Sequence, residues 1–360
     1  MKIDIDFPGG NIDILSVEGD TVRVKPQMRD TRGNWFYWAF RVCGAQGRCV
    51  TFDFSPYDFI GYHGPAVSRD LREWRWTGEK NSISSFSYTF APDEVRVYFA
   101  HDMLYGIGRF NEFAERAGLP SDRLCVSEKG REIPVVSFGE GDGLILLTAR
   151  HHCCESTGSY VLEGVLDELR RQPIPGYRQT AVPFVDFDGV VDGDQGKNRI
   201  PHDHNRDYID EPIYKSVAAV KKYAENNSVR FAFDFHSPWH IGGRNDRVFI
   251  VRGRTEDMDK YIRLGSFLEK ESGGRAMVYS ASNDINPGEE WNTRQNGLNC
   301  SFSSFCGLLP DINLALSLET TYFGAADDIV SQEKLINTGR AYGRALRSYI
   351  AAEYSRTDKI

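Results

Sequence analysis

The sequence lacks any hydrophobic run that approaches the ~18 residues needed to cross a membrane. Residues 1–8 (MKIDIDFP) also contain no apolar stretch of signal-peptide length. We therefore expect a protein that has no membrane partner and stays in the cytoplasm, unless a leader peptide has been removed.

An excess of basic residues is also missing. The chain of 360 residues has 43 Lys and Arg against 51 Asp and Glu, which gives a net charge of −8. A nucleic-acid partner is not expected, because binding one needs a basic face.

The sequence has only seven cysteines, namely Cys43, Cys49, Cys125, Cys153, Cys154, Cys300 and Cys306. An odd count in a chain of this size does not indicate a disulfide framework. No Cys-x-x-Cys pair exists, so a thiolate zinc knuckle is not expected. This usage favours a reducing compartment.

Two common catalytic motifs are absent. There is no Gly-x-Ser-x-Gly elbow of a serine hydrolase. The Gly106-Ile107-Gly108 segment lacks the third glycine of a dinucleotide site. Cys153 and Cys154 follow two histidines, but adjacency in sequence does not make a nucleophile–base pair. Serine hydrolases, cysteine hydrolases and dinucleotide enzymes are therefore disfavoured.

What is present is a globular composition, with 41% apolar and 26% charged residues, in a chain long enough for two domains. Apolar and polar residues alternate in short runs up to residue 105, as in residues 21–25, 49–54, 86–90 and 95–99. This period of two predicts an all-β antiparallel sandwich over residues 1–105, with tryptophans in its core.

After residue 105 apolar strands alternate with amphipathic helices. Strands are predicted at 143–148, 181–187, 229–235 and 312–320, and helices at 107–118, 160–171, 211–226, 255–271 and 331–354. This order predicts an α/β domain over residues 106–360, with a mixed central sheet flanked by helices.

Ionisable residues collect where these strands end. His152 and Glu155 follow the first strand, and His236 ends the third. Imidazole and carboxylate both suit zinc, so the three residues are candidate metal ligands. Glu319 lies within the apolar fourth strand, where burial would raise its pKa and suit it to act as a general base.

The ordered set His152-x-x-Glu155, Asn205-Arg206, His236 and Glu319 resembles the zinc metallocarboxypeptidases. The flanking residues resemble the cytosolic carboxypeptidase branch, namely Thr148-Ala149-Arg150, Ser159-Tyr160-Val161, Phe187-Asp188-Gly189-Val190, Leu318-Glu319-Thr320-Thr321-Tyr322-Phe323-Gly324 and the Trp35-Phe36-Tyr37 run. The resemblance covers nearly the whole chain.

The resemblance implies a function: hydrolysis of the carboxy-terminal peptide bond of peptides or proteins. His152, Glu155 and His236 would bind one zinc ion, with Asp203 orienting His152. Glu319 would take a proton from the attacking water and pass it to the leaving amine.

The resemblance also implies substrate-binding roles. Arg199 would stabilise the oxyanion, and Asn205 and Arg206 would hold the terminal carboxylate. Tyr322 is a weaker match, to a mobile tyrosine. Cys153 and Cys154 stand where the family usually has a small pair such as Pro-Gly.

Terminal-residue selectivity is expected from the segment between His236 and Glu319. The cytosolic branch prefers acidic residues such as glutamate, and Arg294 is our hypothesis for the basic residue that would bind them. A basic side chain in this polar loop can also simply face solvent.

Two other functions stay open at this stage. His202 and His204 form a His-x-His pattern, which occurs in metal amidohydrolases, although no barrel repeat is evident. A catalytically silent protein that binds peptides or glycans through the aromatic sandwich is the other alternative.

Overall fold

The structure is a computed structural model that describes residues 1–78, 82–293 and 300–357. Its first part consists of short strands: β1 (Lys2–Asp4), β2 (Asp13–Glu18), β3 (Thr21–Lys25), β4 (Ala39–Cys43), β5 (Cys49–Asp53), β6 (Ala66–Ser68), β7 (Arg75–Trp76), β8 (Ser85–Thr89) and β9 (Arg96–Ala100). They form two sheets, ordered β1-β4-β9-β6-β7 and β2-β3-β5-β8.

Alternation explains how these sheets pack. In β3, Val22 and Val24 are buried while Thr21 and Arg23 are exposed. An aromatic core that includes Trp38 fills the space inside. The predicted sandwich is confirmed, with one difference: β3 and β5 run parallel. The chain enters β4 of the other sheet between them, so β5 returns in the direction of β3.

The second part begins with α1 (Ile107–Ala117), which ends at Gly118 in the left-handed conformation. Its strands are β10 (Ser121–Val126), β11 (Glu132–Phe138), β12 (Gly143–Ala149), β13 (Tyr177–Val182), β14 (Val229–His236), β15 (Phe249–Arg252), β16 (Leu314–Glu319), β17 (Gly324–Ala325) and β18 (Asp328–Ile329). Its other helices are α2 (Ser156–Arg171), α3 (Phe187–Asp192), α4 (Lys215–Glu225), α5 (Met258–Glu271), α6 (Phe302–Cys306) and α7 (Gln332–Thr357).

The central sheet has the order β10-β11-β13-β12-β14-β16-β15. Strands β13, β12, β14 and β16 are parallel, and the edge strands β10, β11 and β15 are antiparallel. The predicted mixed sheet is therefore confirmed. Apolar runs predicted β12, β14 and β16. The predicted strand at 181–187 overlaps β13 only at residues 181–182, because β13 ends at Val182 and Phe187 begins α3. The edge strands were not predicted. No helix in the described ranges is long and apolar enough to span a membrane.

Helices α2 and α7 pack against each other through glycines. A methyl group on Gly164 would lie 1.9 Å from the carbonyl oxygen of Ile336, and one on Gly339 would lie 1.9 Å from that of Val161. Neither position accepts a side chain at this separation, so the two glycines allow the helices to cover the sheet closely.

Two neighbouring strands set the position of the site. From β12 the chain passes to β13 on one side, while β14 lies on the other side of β12. Loops after the carboxyl ends of such strands diverge and leave a crevice, which is where ligands bind in open α/β sheets. His152 and Glu155 follow β12, and His236 ends β14.

A buried carboxylate lies where the two parts meet, and it makes stability depend on pH. Burial raises the pKa of Asp102 to about 7, with Arg150 opposing the shift. A raised folded-state pKa means that its stabilising contribution is complete below about pH 4 and is lost as the pH rises toward 7. Asp102→Asn should therefore unfold like the wild type at pH 4, where the carboxyl group is protonated in the folded chain.

At pH 8 the same variant should gain on the order of a few kcal/mol over the wild type, because the ionised buried carboxylate is removed. Urea unfolding at both pH values checks this, with the exposed carboxylate Asp58→Asn as the matched control. An equal effect of Asp102→Asn at both pH values would contradict the prediction.

Candidate active site

A tight loop after β12 presents two side chains to the same point. Arg150 has a φ of +62°, and its Nε donates to the carbonyl oxygen of Cys153 at 2.7 Å. Its Nη1 also donates to the carbonyl oxygen of Tyr105 at 3.0 Å. The loop is thereby closed on itself, and Glu155 occupies the position just before α2 without a side-chain capping bond. His152 and Glu155 leave the loop on one side.

The three predicted metal ligands meet at one centre. Nδ1 of His152 is 2.9 Å from Oε1 of Glu155, and Nδ1 of His236 is 2.7 Å from Oε2 of the same carboxylate. One ligand atom from each residue lies within 4.8 Å of the others. Two imidazole nitrogens and one carboxylate oxygen are the donor set of many catalytic zinc sites, so these residues fit a zinc ion.

A second carboxylate stands behind each histidine. Nε2 of His152 is 3.5 Å from Oδ1 of Asp203, and Nε2 of His236 is 2.5 Å from Oδ2 of Asp234. Burial opposes ionisation of Asp234, but the neighbouring imidazoles of His151 and His236 hold its pKa below the usual range. Such pairs orient imidazoles toward a metal. The site thus has the outer contacts that a metal centre needs.

A second candidate group, His151, Asp234 and His236, shares one histidine with the first. Both nitrogens of His151 are engaged, Nδ1 with Asp234 at 2.9 Å and Nε2 with Oη of Tyr208 at 2.7 Å. The first group opens on a cavity that His152 and His236 line, whereas His151 is fully buried behind it. The geometry therefore favours His152, Glu155 and His236.

Glu319 lies beside this centre because β14 and β16 pair in register, with His236 opposite Glu319. The side chain is buried, and its Oε2 has no hydrogen-bond partner among the described residues. Burial raises the pKa of Glu319 to about 7, although the charge of His236 opposes the shift. A carboxylate with an uncommitted oxygen and a pKa near neutrality suits a general base.

A cavity of about 70 Å³ leads to the centre. Its described wall consists of His152, Asn205, Arg206, His236, Val251, Gly253, Trp291, Asn292, Ser301, Ser303, Ser317 and Glu319. The lining is mostly polar and uncharged around two charged side chains, Arg206 and Glu319. This is a space for a small polar group beside the candidate metal ligands.

Asn205 and Arg206 form one side of this cavity. Oδ1 of Asn205 accepts a hydrogen bond from the backbone N–H of Phe302 at 3.0 Å, and Nη1 of Arg206 donates to the carbonyl oxygen of Asn205 at 2.9 Å. Within the described part of the chain, the Arg206 guanidinium forms no ion pair with a carboxylate. It can therefore take a substrate carboxylate.

Arg199 is not brought to this centre. Its Nη2 lies 2.6 Å from Oδ2 of Asp186 and 3.2 Å from Oδ2 of Asp194, and its Nε lies 3.6 Å from Asp30. Burial opposes the charge, but these carboxylates raise the pKa of the guanidinium. The structure therefore places it in a buried acidic cluster outside the cavity lining.

The cation found at the centre is Lys197. Its Nζ is 2.7 Å from Oε1 of Glu155. Burial and this contact act oppositely on Glu155: burial raises its pKa, whereas Lys197 and the two imidazoles lower it well below the usual value.

The sequence carried no signal for Lys197, since it lies in a loop without periodicity. Asp234 did have one, because it precedes His236 by two residues on the same strand face.

Tyr322 is buried, and its ring lies 5.5 Å from that of Phe36 in edge-to-face contact. Its hydroxyl is 3.7 Å from Sγ of Cys154, outside the described cavity lining. Sγ of Cys153 contacts the carbonyl oxygen of Asp194 at 3.1 Å. Neither cysteine belongs to the described cavity lining. Arg294 lies outside the described residues.

The His-x-His pattern does not form a metal centre in the described residues. Nε2 of His202 bonds Oδ1 of Asp207 at 2.6 Å. The ring of His204 stacks on Tyr214 with centroids 3.7 Å apart. Neither histidine belongs to a group of three candidate ligands there. Both side chains instead form contacts within their own loop, with Asp207 and Tyr214.

Comparisons with known proteins bear on this geometry. Residues 3–101 match a family model described as the cytosolic carboxypeptidase N-terminal domain. An uncharacterized protein of Zymomonas mobilis is 24% identical over 256 residues, which are 66% of this chain and 67% of that protein. Human cytosolic carboxypeptidase 6 is 23% identical over 212 residues, which are 52% of this chain and 42% of the human protein.

Two solved structures share the fold over 98% of this chain and 99% of their own. A metallo-carboxypeptidase from Burkholderia cenocepacia has a TM-score of 0.81 at 17% identity. One from Pseudomonas aeruginosa, in complex with (2-guanidinoethylmercapto)succinic acid, has a TM-score of 0.79 at 21% identity. Together with the family model, they confirm the predicted resemblance to the cytosolic branch of the zinc metallocarboxypeptidases.

Proposed function

We propose that the chain is a zinc-dependent carboxypeptidase that removes the last residue of peptides or proteins. One observation carries the proposal: a single cavity is lined by two histidines of a zinc-type donor set, by a base with an uncommitted oxygen and by a guanidinium without a carboxylate partner in the described residues. The first can activate water, the second can accept its proton, and the third selects a free carboxyl end.

A bound zinc would polarise the scissile carbonyl and lower the pKa of its water. His152, Glu155 and His236 would hold the ion, with Asp203 and Asp234 orienting the imidazoles. Glu319 would accept the proton of the attacking water.

On collapse of the tetrahedral adduct, Glu319 would return that proton to the leaving amine. Asn205 and Arg206 would hold the terminal carboxylate, so that the last peptide bond lies beside Glu319. Because a carboxylate must reach Arg206, cleavage would be confined to chain ends.

We also propose a preference for acidic terminal residues such as glutamate. With Arg206 engaged by the terminal carboxylate, the hydroxyls of Ser301, Ser303 and Ser317 supply donors for an acidic side chain, and Glu319 supplies the negative charge of the described wall. A basic terminal side chain would find few acceptors in this wall. The proposed location is the cytoplasm, where the seven free cysteines would remain reduced.

The proposed function is tested first by metal content. Wild-type protein should hold about one zinc per chain, and His236→Ala should lose it, because two remaining ligands bind zinc weakly. His202→Ala is the matched control and should keep the metal. Loss of zinc in His202→Ala but not in His236→Ala would instead favour the amidohydrolase reading.

Peptides with free and amidated carboxyl ends should then be compared by amino-acid release. The zinc-loaded wild type should release the last residue of the free acids and fastest from those ending in glutamate. A protein that holds no added zinc and cleaves none of the peptides would refute the proposal and favour a silent binding protein.

A further inference from the structure

We propose that Lys197, and not Arg199, is the cation that stabilises negative charge on the scissile carbonyl oxygen. This inference rests on the proposed carboxypeptidase function and assigns a further catalytic residue to it. The resemblance implied an arginine in this role, and the geometry supplies a lysine two residues earlier in the same loop.

Arg199 is committed elsewhere. Its guanidinium contacts Asp186, Asp194 and Asp30, a carboxylate cluster on the far side of the ligand loop. Moving it to the cavity would take the guanidinium away from the buried carboxylates of Asp186 and Asp30, which costs several kcal/mol, while Asp194 would keep Arg29 at 2.7 Å. The acidic cluster therefore holds Arg199 in a structural position.

Lys197 is fixed at the reaction centre. Its Nζ donates to the carbonyl oxygens of Ser237 and Pro238 at 2.9 and 3.2 Å, and its third donor meets Glu155 at 2.7 Å. All three donors are engaged, so Lys197 would act on the carbonyl oxygen through its charge. The two backbone bonds hold the ammonium independently of Glu155. The strand that ends in His236 thus also positions this cation.

The surroundings of Lys197 exclude water. The side chain is buried, and its ammonium lies 5.8 Å from the ring centroids of both Trp35 and Phe36, which belong to the amino-terminal sandwich. The effective dielectric is low here, so a fixed positive charge acts more strongly than in water. The sandwich would therefore contribute to catalysis by walling in this cation.

Negative charge develops on the carbonyl oxygen during the reaction, and a fixed cation near it would stabilise that charge in addition to the metal. Water adds to the carbonyl carbon, the π pair moves onto the carbonyl oxygen, and the released proton goes to Glu319. Collapse of this adduct breaks the C–N bond, and Glu319 returns the proton to the amine. The oxygen carries full negative charge only in between, so Lys197 favours the transition state over the bound substrate.

The test uses Lys197→Met and Lys197→Arg in the full chain, with the exposed Lys25→Met as the matched control. Two affinities are measured: zinc by chelator competition, and a peptide phosphonate, which carries the anionic tetrahedral group, by titration of the zinc-loaded proteins. In Lys197→Met the phosphonate Kd should rise and kcat/KM should fall by about 10²-fold. Lys197→Arg should recover part of both.

Zinc affinity separates this role from a merely structural one. In Lys197→Met it should be unchanged or higher, because a positive charge next to a ligand carboxylate has been removed. Weaker zinc binding with unchanged phosphonate affinity of the loaded variant would overturn the proposal and make Lys197 a positioning residue for Glu155. A wild type that is inactive on peptides would refute the proposed function itself; active wild type with active Lys197→Met would refute only this inference.

Discussion

Replacing Glu319 by glutamine should lower kcat by about 10³-fold or more while about one zinc per chain is retained. The amide has nearly the same size as the carboxylate but cannot accept the proton of the attacking water. Because Glu319 is outside the ligand set, the metal should stay bound. Timed assays of amino-acid release measure kcat, and elemental analysis measures the zinc content per chain.

The pH profile makes this prediction sharper. A base must be ionised to act, so kcat/KM of the wild type should rise with pH through the pKa of Glu319 and then level off. Burial places that pKa at about 7 in the metal-free site, and the charge of a bound zinc would lower it. The rise of kcat/KM with pH, which is the acidic limb of the profile, should therefore occur below pH 7. In Glu319→Gln this limb should disappear.

The matched control is Glu333→Gln, an exposed carboxylate at the start of α7. This variant should keep the wild-type kcat and the rise of kcat/KM with pH. If Glu319→Gln instead retained the wild-type rate, another group would have to be the base; if it lost zinc, Glu319 would have to be a ligand.

Replacing Arg206 by glutamine should lower kcat/KM for free-acid peptides by roughly 10³-fold, since losing one partner of a desolvated charge pair costs about 4 kcal/mol. The preference for free-acid over amidated peptides should collapse with it. The physical reason is that the Arg206 guanidinium, which has no carboxylate partner in the described chain, would supply the positive charge that binds the terminal carboxylate. The ratio of the two rates is the decisive measurement.

Arg123→Gln, on the exposed edge strand β10, is the comparison variant and should keep the wild-type ratio. Zinc content should be unaffected in both variants. If the ratio of free-acid to amidated peptide cleavage were unchanged in Arg206→Gln, another residue would have to bind the terminal carboxylate.

Several features of the protein could be determined from the sequence alone, because they depend on local patterns. Alternation of apolar and polar residues predicted the sandwich, and apolar runs predicted three of the four parallel strands, β12, β14 and β16. The metal ligands could be predicted because strand ends of a parallel sheet converge, which places His152, Glu155 and His236 together. Glu319 could be predicted because a carboxylate inside an apolar strand is costly unless it is used.

Other features were decided only by the tertiary structure. The edge strands β10, β11 and β15 are part-exposed, irregular or short, so their own residues predict them weakly. The parallel pairing of β3 with β5 depends on a strand of the opposite sheet. Neither feature is present in any local pattern.

The difference between Lys197 and Arg199 is the clearest case. Asp30 of the sandwich accepts hydrogen bonds from the backbone N–H groups of Gln195 and Gly196 at 3.0 and 2.8 Å. These bonds set the path of the loop, which turns Lys197 toward Glu155 and Arg199 toward Asp186. The spacing in the sequence predicts a cation near the site. Which cation lies there, Lys197 or Arg199, depends on a contact between segments more than 160 residues apart.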